Sequence, residues 1–439
     1  MAEQMKPSEV DWIGDIPESW KVKPIAYMTK SRSGGTPDRN NLSYWENGTI
    51  PWMSSGEVNK VNIYDTDEKI TTLAVHHSSA KIISKNAVMV ALNGQGKTKG
   101  MSAILRTDSA CNQSLCAFSC NTGILYYEYL FWCFQTMYTY LRQMSGDDVR
   151  DGLAASYVKK QKISIPKYEE QQAIADFLNK ECAQIDSIAA DLEKQIELLQ
   201  KYKKSLITET VTKGLDKSVP IKDSGVACIG LVPMSWGYKK LGYMADVTKL
   251  AGFEFTNYFE YVDDGVIAIR GLNLKNFDVS LADIQYIPEK TSNMLPRSQV
   301  HYNDVLISYA GTVGSVGLIT DTAKQYHLAP NVGKVTVFNE LIPRYLAYYL
   351  ISYTGQELID QLKNKNAQES ISMENIRRIK ILVPTQIEQQ NICDYLDKKT
   401  DEIDTLISAQ QKKLELMQAY KKSLIYEYVT GKKRVKEVQ

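Results

Sequence analysis

The feature that most restricts what this chain can fold into is that it contains itself twice. The block Ile13-Gly14-Asp15-Ile16-Pro17-Glu18-Ser19-Trp20 returns as Ile229-Gly230-Leu231-Val232-Pro233-Met234-Ser235-Trp236, an offset of 216, and Tyr27-Met28 returns as Tyr243-Met244. Further on, Val158-Lys159-Lys160-Gln161-Lys162-Ile163-Ser164-Ile165-Pro166 parallels Ile376-Arg377-Arg378-Ile379-Lys380-Ile381-Leu382-Val383-Pro384, now at an offset of 218. From Glu170-Gln171-Gln172 against Glu388-Gln389-Gln390 to Tyr202-Lys203-Lys204-Ser205-Leu206-Ile207 against Tyr420-Lys421-Lys422-Ser423-Leu424-Ile425, roughly half the positions are identical. The fold must therefore accommodate one unit in two copies.

Each copy has two parts. Residues 13–165 and 229–383 carry aromatic, β-branched, Gly and Asn positions, with short apolar runs such as Ala87–Leu92 and Asp304–Tyr309 bounded by Gly or Asn. They read as mainly β, with helix around Tyr126 to Leu141 and Pro343 to Leu362. Residues 169–212 and 387–430 are poor in Gly and Pro and rich in Glu, Lys, Gln and Leu at helical spacing. In the first, Ile185, Ile188, Leu192, Leu199, Tyr202 and Leu206 form a heptad stripe whose remaining slot is Gln195. In the second, Ile403, Leu406, Met417, Tyr420 and Leu424 keep it, with Gln410 and Lys413 interrupting. A helix of about 40 residues spans on the order of 60 Å and needs a long partner. The economical partner is the other copy, paired antiparallel. The expected class is α+β: two β-rich domains and two long antiparallel coiled-coil helices, related by an internal pseudo-two-fold repeat. The division is 1–165, first head; 166–215, first helix; 216–383, second head; 384–439, second helix and basic tail.

At 439 residues the chain is long enough for several domains, and 44% hydrophobic with 23% charged residues is an ordinary globular composition. Lys plus Arg is 52 against 51 Asp plus Glu, so any grip on nucleic acid relies on local basic faces rather than bulk charge. No run approaches the roughly 20 apolar residues of a membrane helix, and residues 1–7 lack a signal-peptide core, so the cytoplasm is expected. The seven cysteines are odd in number and contain no Cys-x-x-Cys pair, which favours reduced core thiols over a zinc site at Cys111, Cys116 and Cys120.

Catalytic patterns are weak or missing. Ala91-Leu92-Asn93-Gly94-Gln95-Gly96-Lys97-Thr98 satisfies a permissive phosphate-loop pattern, yet Lys99–Leu105 reads as a turn and a strand, where a phosphate loop needs a helix. The other copy has Ala310-Gly311-Thr312-Val313-Gly314 there, without a lysine. A Gly-rich hairpin tip serves both. No amino-methyltransferase motif, dinucleotide fingerprint, His-Glu-x-x-His or nucleophile elbow is found. His76-His77 reads as a surface pair, and no metal site is expected. The polar loop residues suit contact with base edges and phosphates: Ser54, Ser55, Glu57 and Asn59; Asn93, Gln95, Lys97, Thr98 and Lys99; and Asn112 with Gln113. In the second copy the counterparts are Arg270 and Asn273, Tyr309 and Thr312, and His327 with Asn331. The tail Lys432-Lys433-Arg434-Val435-Lys436 is a further basic segment.

Taken in order, these residues resemble the DNA-specificity subunits of type I restriction–modification systems. The resemblance rests on Gly35-Thr36-Pro37 with Tyr44-Trp45 and Gly48-Thr49-Ile50-Pro51-Trp52. It rests also on Asn303–Ser308 leading to Gly311-Thr312-Val313-Gly314, and on Ile163-Ser164-Ile165-Pro166 before Glu169-Glu170-Gln171-Gln172, repeated at Ile381–Pro384 and Glu388–Gln390. It implies two target recognition domains, each reading one half of a split double-stranded DNA sequence, with the paired helices fixing the gap; on that footing the heads are expected to enter grooves about one helical turn (about 34 Å) apart. It implies two methylation subunits on the long helices and restriction (translocase) subunits in the full complex. S-adenosylmethionine, ATP and Mg would sit on those partners, this chain being non-catalytic. The second head lacks Gly-Thr-Pro and Ile-Pro-Trp and has Leu250–Phe253 and Ile267–Gly271 instead, so the two heads should read different half-sites. The reading from another class is a coiled-coil adaptor with two protein-binding heads; a stand-alone NTPase is a distant third.

Overall fold

The computed structural model describes residues 4–94, 96–144, 152–275, 277–364 and 369–435. They form two compact units, Met1–Leu192 with Lys412–Gln439, and Glu193–Gln411. Each unit holds one β-rich head and a stretch of both long helices, Tyr168–Lys213 and Gln386–Val429.

In the first unit a five-stranded sheet runs in the order Thr29–Ser33, Leu115–Cys120, Val88–Ala91, Ser102–Leu105, Asn62–Ile63. The apolar run beginning at Ala87 is continuous because both sheet faces are covered, and its period of two divides it between two cores. Val88, Val90 and Leu92 pack with Phe118 beneath the helix Tyr127–Met144, while Met89 and Ala91 pack with Met53, Val58 and Leu115 on the opposite face. A three-stranded sheet, Ala110–Cys111, Ile50–Met53, Glu68–Ile70, lies beyond. The second unit repeats the plan with sheets ordered Ala245–Lys249, Val332–Val337, Val305–Ser308, Val316–Leu318 and Gln285–Ile287, Val266–Ile269, Tyr326–Leu328, Gln299–Val300. Here the helical segment after Pro343 is broken into Pro343–Ile351 and Tyr353–Leu362. The Ser352 hydroxyl accepts from Gly355 N (3.0 Å) and donates to Tyr349 O (2.6 Å), capping a second helix rather than continuing the first.

Two buried residues, duplicated by the repeat, fasten each head to the helices. Gln171 accepts from Tyr126 N (2.8 Å) and donates to Ile124 O (3.0 Å) and Pro166 O (3.1 Å). Gln389 accepts from Ile342 N (2.8 Å) and donates to Glu340 O (3.1 Å) and Pro384 O (3.0 Å). The Tyr129 hydroxyl lies 2.9 Å from Ser164 O and 3.0 Å from Val429 O at the end of the second long helix. Tyr345 is placed likewise, 3.2 Å from both Leu382 O and Val211 O of the first helix. The middle Gln of each Glu-Gln-Gln triplet thus ties a helix start to its head, and a tyrosine reaches a buried carbonyl in the last turn of the other long helix, which in the first copy also accepts from the Ser164 hydroxyl (2.6 Å).

The helices run antiparallel within each unit. In the first, the Phe177 and Tyr428 rings are 4.4 Å apart and Asp186 pairs with Lys421 at 2.6 Å. In the second, Gln195 meets Gln410 at 3.1 Å and Lys203 pairs with Asp404 at 2.5 Å. Ile185, Leu192, Ile403 and Leu424 are buried, and Leu199, Leu206 and Met417 are half-buried. Ile188, Tyr202, Leu406 and Tyr420 require a correction: they are 42–57% exposed. The second slot of the heptad falls one residue later, at Ala189, Ile196 and Lys203 and at Ile407, Leu414 and Lys421, all buried or half-buried. A series spaced by seven leaves two choices for its partner series, and the lysines hide the true one. Their stems lie along the seam while their ammonium groups reach Asp404 and Asp186.

Candidate nucleic-acid interface

In the first head the candidate residues gather where three loops meet. The strand Ile50–Met53 runs out at Ser54, and Asn112 N donates to Met53 O (3.0 Å). The tip after Ala91 adjoins that loop through Leu92 N to Ser114 O (2.8 Å), and the Thr36 hydroxyl donates to Gln113 Oε1 (2.6 Å). Asn93, Lys97 and Gln113 are exposed there, as is Asn59, whereas Ser54, Ser55, Thr98 and Asn112 are half-buried and Lys99 is buried. Gln95 lies outside the described residues. The tip joins two antiparallel strands, Val88–Ala91 and Ser102–Leu105, so no helix N-terminus stands behind it to hold a nucleotide phosphate. It is held to the helix Tyr127–Met144 by backbone carbonyls: Tyr138 donates to Lys97 O (2.7 Å) and Arg142 to Gly96 O (2.9 Å).

In the second head, Tyr309 N donates to Asn331 O (2.9 Å), and a side chain at Gly271 would come within 3.7 Å of Thr312 Oγ1, which puts the Arg270 turn beside the tip. Thr312 and Asn331 are exposed, Tyr309 is half-buried, and Lys249 Nζ sits 5.0 Å from the Tyr309 ring centre. Asn331 holds φ +72°, a left-handed turn conformation that asparagine tolerates.

Three candidates are corrected. Glu57 is buried, accepting from Ser54 N (2.8 Å), Asp67 N (3.0 Å) and Lys60 (3.0 Å). Asn273, its equivalent in the repeat, is buried too, accepting from Arg270 N (3.0 Å) and donating to Ser280 O (3.1 Å). Both fold their own turns instead of facing outward. His327 is fully buried, Nδ1 lying 2.9 Å from Leu328 O and its ring 6.1 Å from that of Phe259; burial lowers its pKa and keeps the imidazole neutral. In the basic tail, Lys432 donates to Ile13 O (2.8 Å), Lys433 pairs with Glu427 (2.9 Å) and Arg434 with Glu170 (2.5 Å), so these cations are engaged within the first unit. Lys436 lies outside the described residues.

Sequence reading missed the frame beneath the first site. Arg39 lies 3.8 Å above the Trp45 ring and 4.9 Å from that of Trp52, and Glu68 grips its guanidinium in bidentate fashion. This holds the Glu68 carboxyl below its usual range and raises the arginine. Trp52 Nε1 donates to Gly35 O (3.0 Å), and a Cβ on Gly35 would strike Ser79 Oγ at 2.1 Å. The Gly-Thr-Pro, Tyr-Trp and Ile-Pro-Trp motifs therefore build a small aromatic core that carries Thr36 to Gln113. Spacing alone does not reveal it, since Gly35 and Trp52 meet only in the fold. Among the described residues, no group of three or more His, Cys, Asp or Glu side chains is placed to hold a metal, and no helix is long and apolar enough to cross a membrane.

A duplicated head on paired long helices, with polar loops converging at one site in each head, defines a two-headed recognition subunit. The type I restriction modification DNA specificity domain matches residues 17–198 and again 236–416, and the chain belongs to this family. It is 24% identical over 429 residues to the type I restriction enzyme MjaVIII specificity subunit of Methanocaldococcus jannaschii, covering 96% of this chain and 95% of that one. To the EcoR124I/EcoR124II specificity subunit of Escherichia coli it is 30% identical over 206 residues, 45% of this chain and 46% of the other. Its fold resembles the HsdS subunit from Thermoanaerobacter tengcongensis, with a TM-score of 0.52 and 16% identity over 95% of this chain and 98% of that one. A chain from a structural study of complex assembly and conformational transition in a type I R-M system gives 0.66 and 17% identity, over 94% and 98%.

Proposed function

We propose that this specificity subunit reads a bipartite, asymmetric double-stranded DNA target, one half through each head, and carries two methylation subunits on its long helices. The observation that supports this best is the pairing of a repeated fold with unlike loop tips. Asn93, Lys97 and Gln113 present one set of donors and acceptors, and Tyr309, Thr312 and Asn331 another, so two different half-sites follow from direct readout. For the methylation subunits the helices offer exposed apolar residues at equivalent places in each unit: Ile188, Leu416 and Tyr420 in the first, Leu406, Leu198 and Tyr202 in the second. Solvent-facing aromatic and aliphatic groups on a helical pair suit a protein partner. The chain itself is non-catalytic in this reading and works in the cytoplasm. S-adenosylmethionine, ATP and magnesium belong to the methylation and restriction subunits.

The test is a genome-wide map of methylated adenines in host cells with and without the gene. Loss of a single split motif is the expected result. With an active methylation subunit co-expressed, an unchanged map rejects the proposal.

A further inference from the structure

The loops that differ between the heads suit base reading, and what the heads share must face something common to both half-sites. Apart from the core and the helix clamps, the shared feature is a basic ribbon with a bare tyrosine. In the first head, Lys21–Pro24 pairs antiparallel with Lys162–Ile165; the turn Ile25–Tyr27 follows the first strand and the helix Ala155–Lys160 precedes the second. Ile25 N donates to Gln161 O (2.9 Å), joining turn and helix into one surface. The second head repeats this with Gly237–Lys240, Leu241–Tyr243, Met373–Arg378 and Lys380–Val383, where Leu241 N donates to Ile379 O (2.8 Å). Tyr27 and Tyr243 stand 77% and 76% exposed at the same point.

The charge is of one sign. With the adjoining strand Thr29–Ser33, the elements of the first head's ribbon contain no Asp or Glu, although the whole chain is nearly neutral. Lys23, Lys159, Lys160 and Lys162 form no ion pair among the described residues. The second head keeps the cations as Lys239, Arg377, Arg378 and Lys380, but partly engaged: Lys239 with Glu340, Arg378 with Glu374, Arg377 with Val247 O, and Lys380 4.7 Å from the Tyr238 ring centre.

We infer that this ribbon is a sequence-independent clamp on the DNA sugar–phosphate backbone, present in both heads and stronger in the first. Cations beside a phenol match the groups that hold phosphates, and phosphate geometry is the same whichever bases each head reads. Among the described residues of the first head's ribbon, Tyr27 is the only large hydrophobic side chain that stands exposed, which does not make the apolar centre of a protein interface, so charge complementarity selects the duplex. This rests on the proposed DNA-reading function and assigns a second contact surface to the same heads.

The full chain, with a fluorescein-labelled duplex of arbitrary sequence, tests it through the salt dependence of binding. Lys159→Gln with Lys160→Gln should flatten the slope of log affinity against log salt by about 1.8, at roughly 0.9 per phosphate contact. Affinity for a duplex bearing the mapped target should fall by the same factor, leaving discrimination intact. Lys85→Gln, an exposed charge elsewhere on the head, should leave the slope in place, and an unchanged melting temperature shows that the variants fold. An unaltered slope, an equal effect from Lys85→Gln, a loss confined to the target duplex, or failure of the unmodified chain to bind arbitrary duplex overturns the clamp. If the methylation map yields a split motif while the slope is unaltered, the clamp alone fails. If the slope flattens but no motif depends on the gene, the specificity reading fails and the clamp stands.

Discussion

Single residues do different work in this protein according to whether their polar atoms find partners inside the fold. Gln171 and Gln389 are polar and fully buried, and both ends of each amide are used. Replacing either with Leu strands a backbone N–H and two carbonyls, a loss of about 1–3 kcal/mol. Chemical denaturation of the full chain should show a transition at lower denaturant for each variant, and an unchanged midpoint would remove the clamp role. Glu57, Asn273 and His327 teach the converse lesson. Each is of a residue type that serves DNA recognition well, and each is turned inward because a local backbone group or the second head's sheet claims it. Residue type in a loop identifies what a side chain can do, and the competing partner in the fold decides what it does.

At the scale of elements, periodicity carries most of the information. The continuous run of residues 87–92 reads as β from its apolar residues, and in the fold two separate cores receive its alternate residues. The long helices are equally legible, since nothing else places apolar residues at heptad spacing without Gly or Pro over such lengths. Their phase is less so. Ile407 is buried and Leu406 is exposed, although the two are neighbours of similar apolarity. Ile407→Ala should cost about 2 kcal/mol or more of stability, whereas Leu406→Ala should change stability by less than about 0.5 kcal/mol and weaken association with a methylation subunit. Thermal melts and a pull-down with the co-expressed subunit separate the two effects. Equal destabilisation by both would restore Leu406 to the helix seam.

Across the whole molecule, duplication lets one design serve two readings. The Gln and Tyr clamps recur in both copies and the basic ribbon recurs with its cations partly engaged in the second, while the aromatic frame of Arg39, Trp45 and Trp52 belongs to the first head. Exchanging residues 13–165 for the corresponding part of another specificity subunit should alter one half of the methylated motif and leave the other half as it was. If both halves change in the methylation map, the heads do not read independently. The repeat, the β-rich heads, the antiparallel helices and the family all follow from the order of residues along the chain, because duplication and periodicity are properties of sequence alone. Which loop residues face outward, which heptad series forms the seam, and how Gly35 comes under Trp52 were decided only by tertiary structure. Those outcomes depend on contacts between residues distant in sequence, where burial and hydrogen-bond competition choose among side chains that local pattern leaves equivalent.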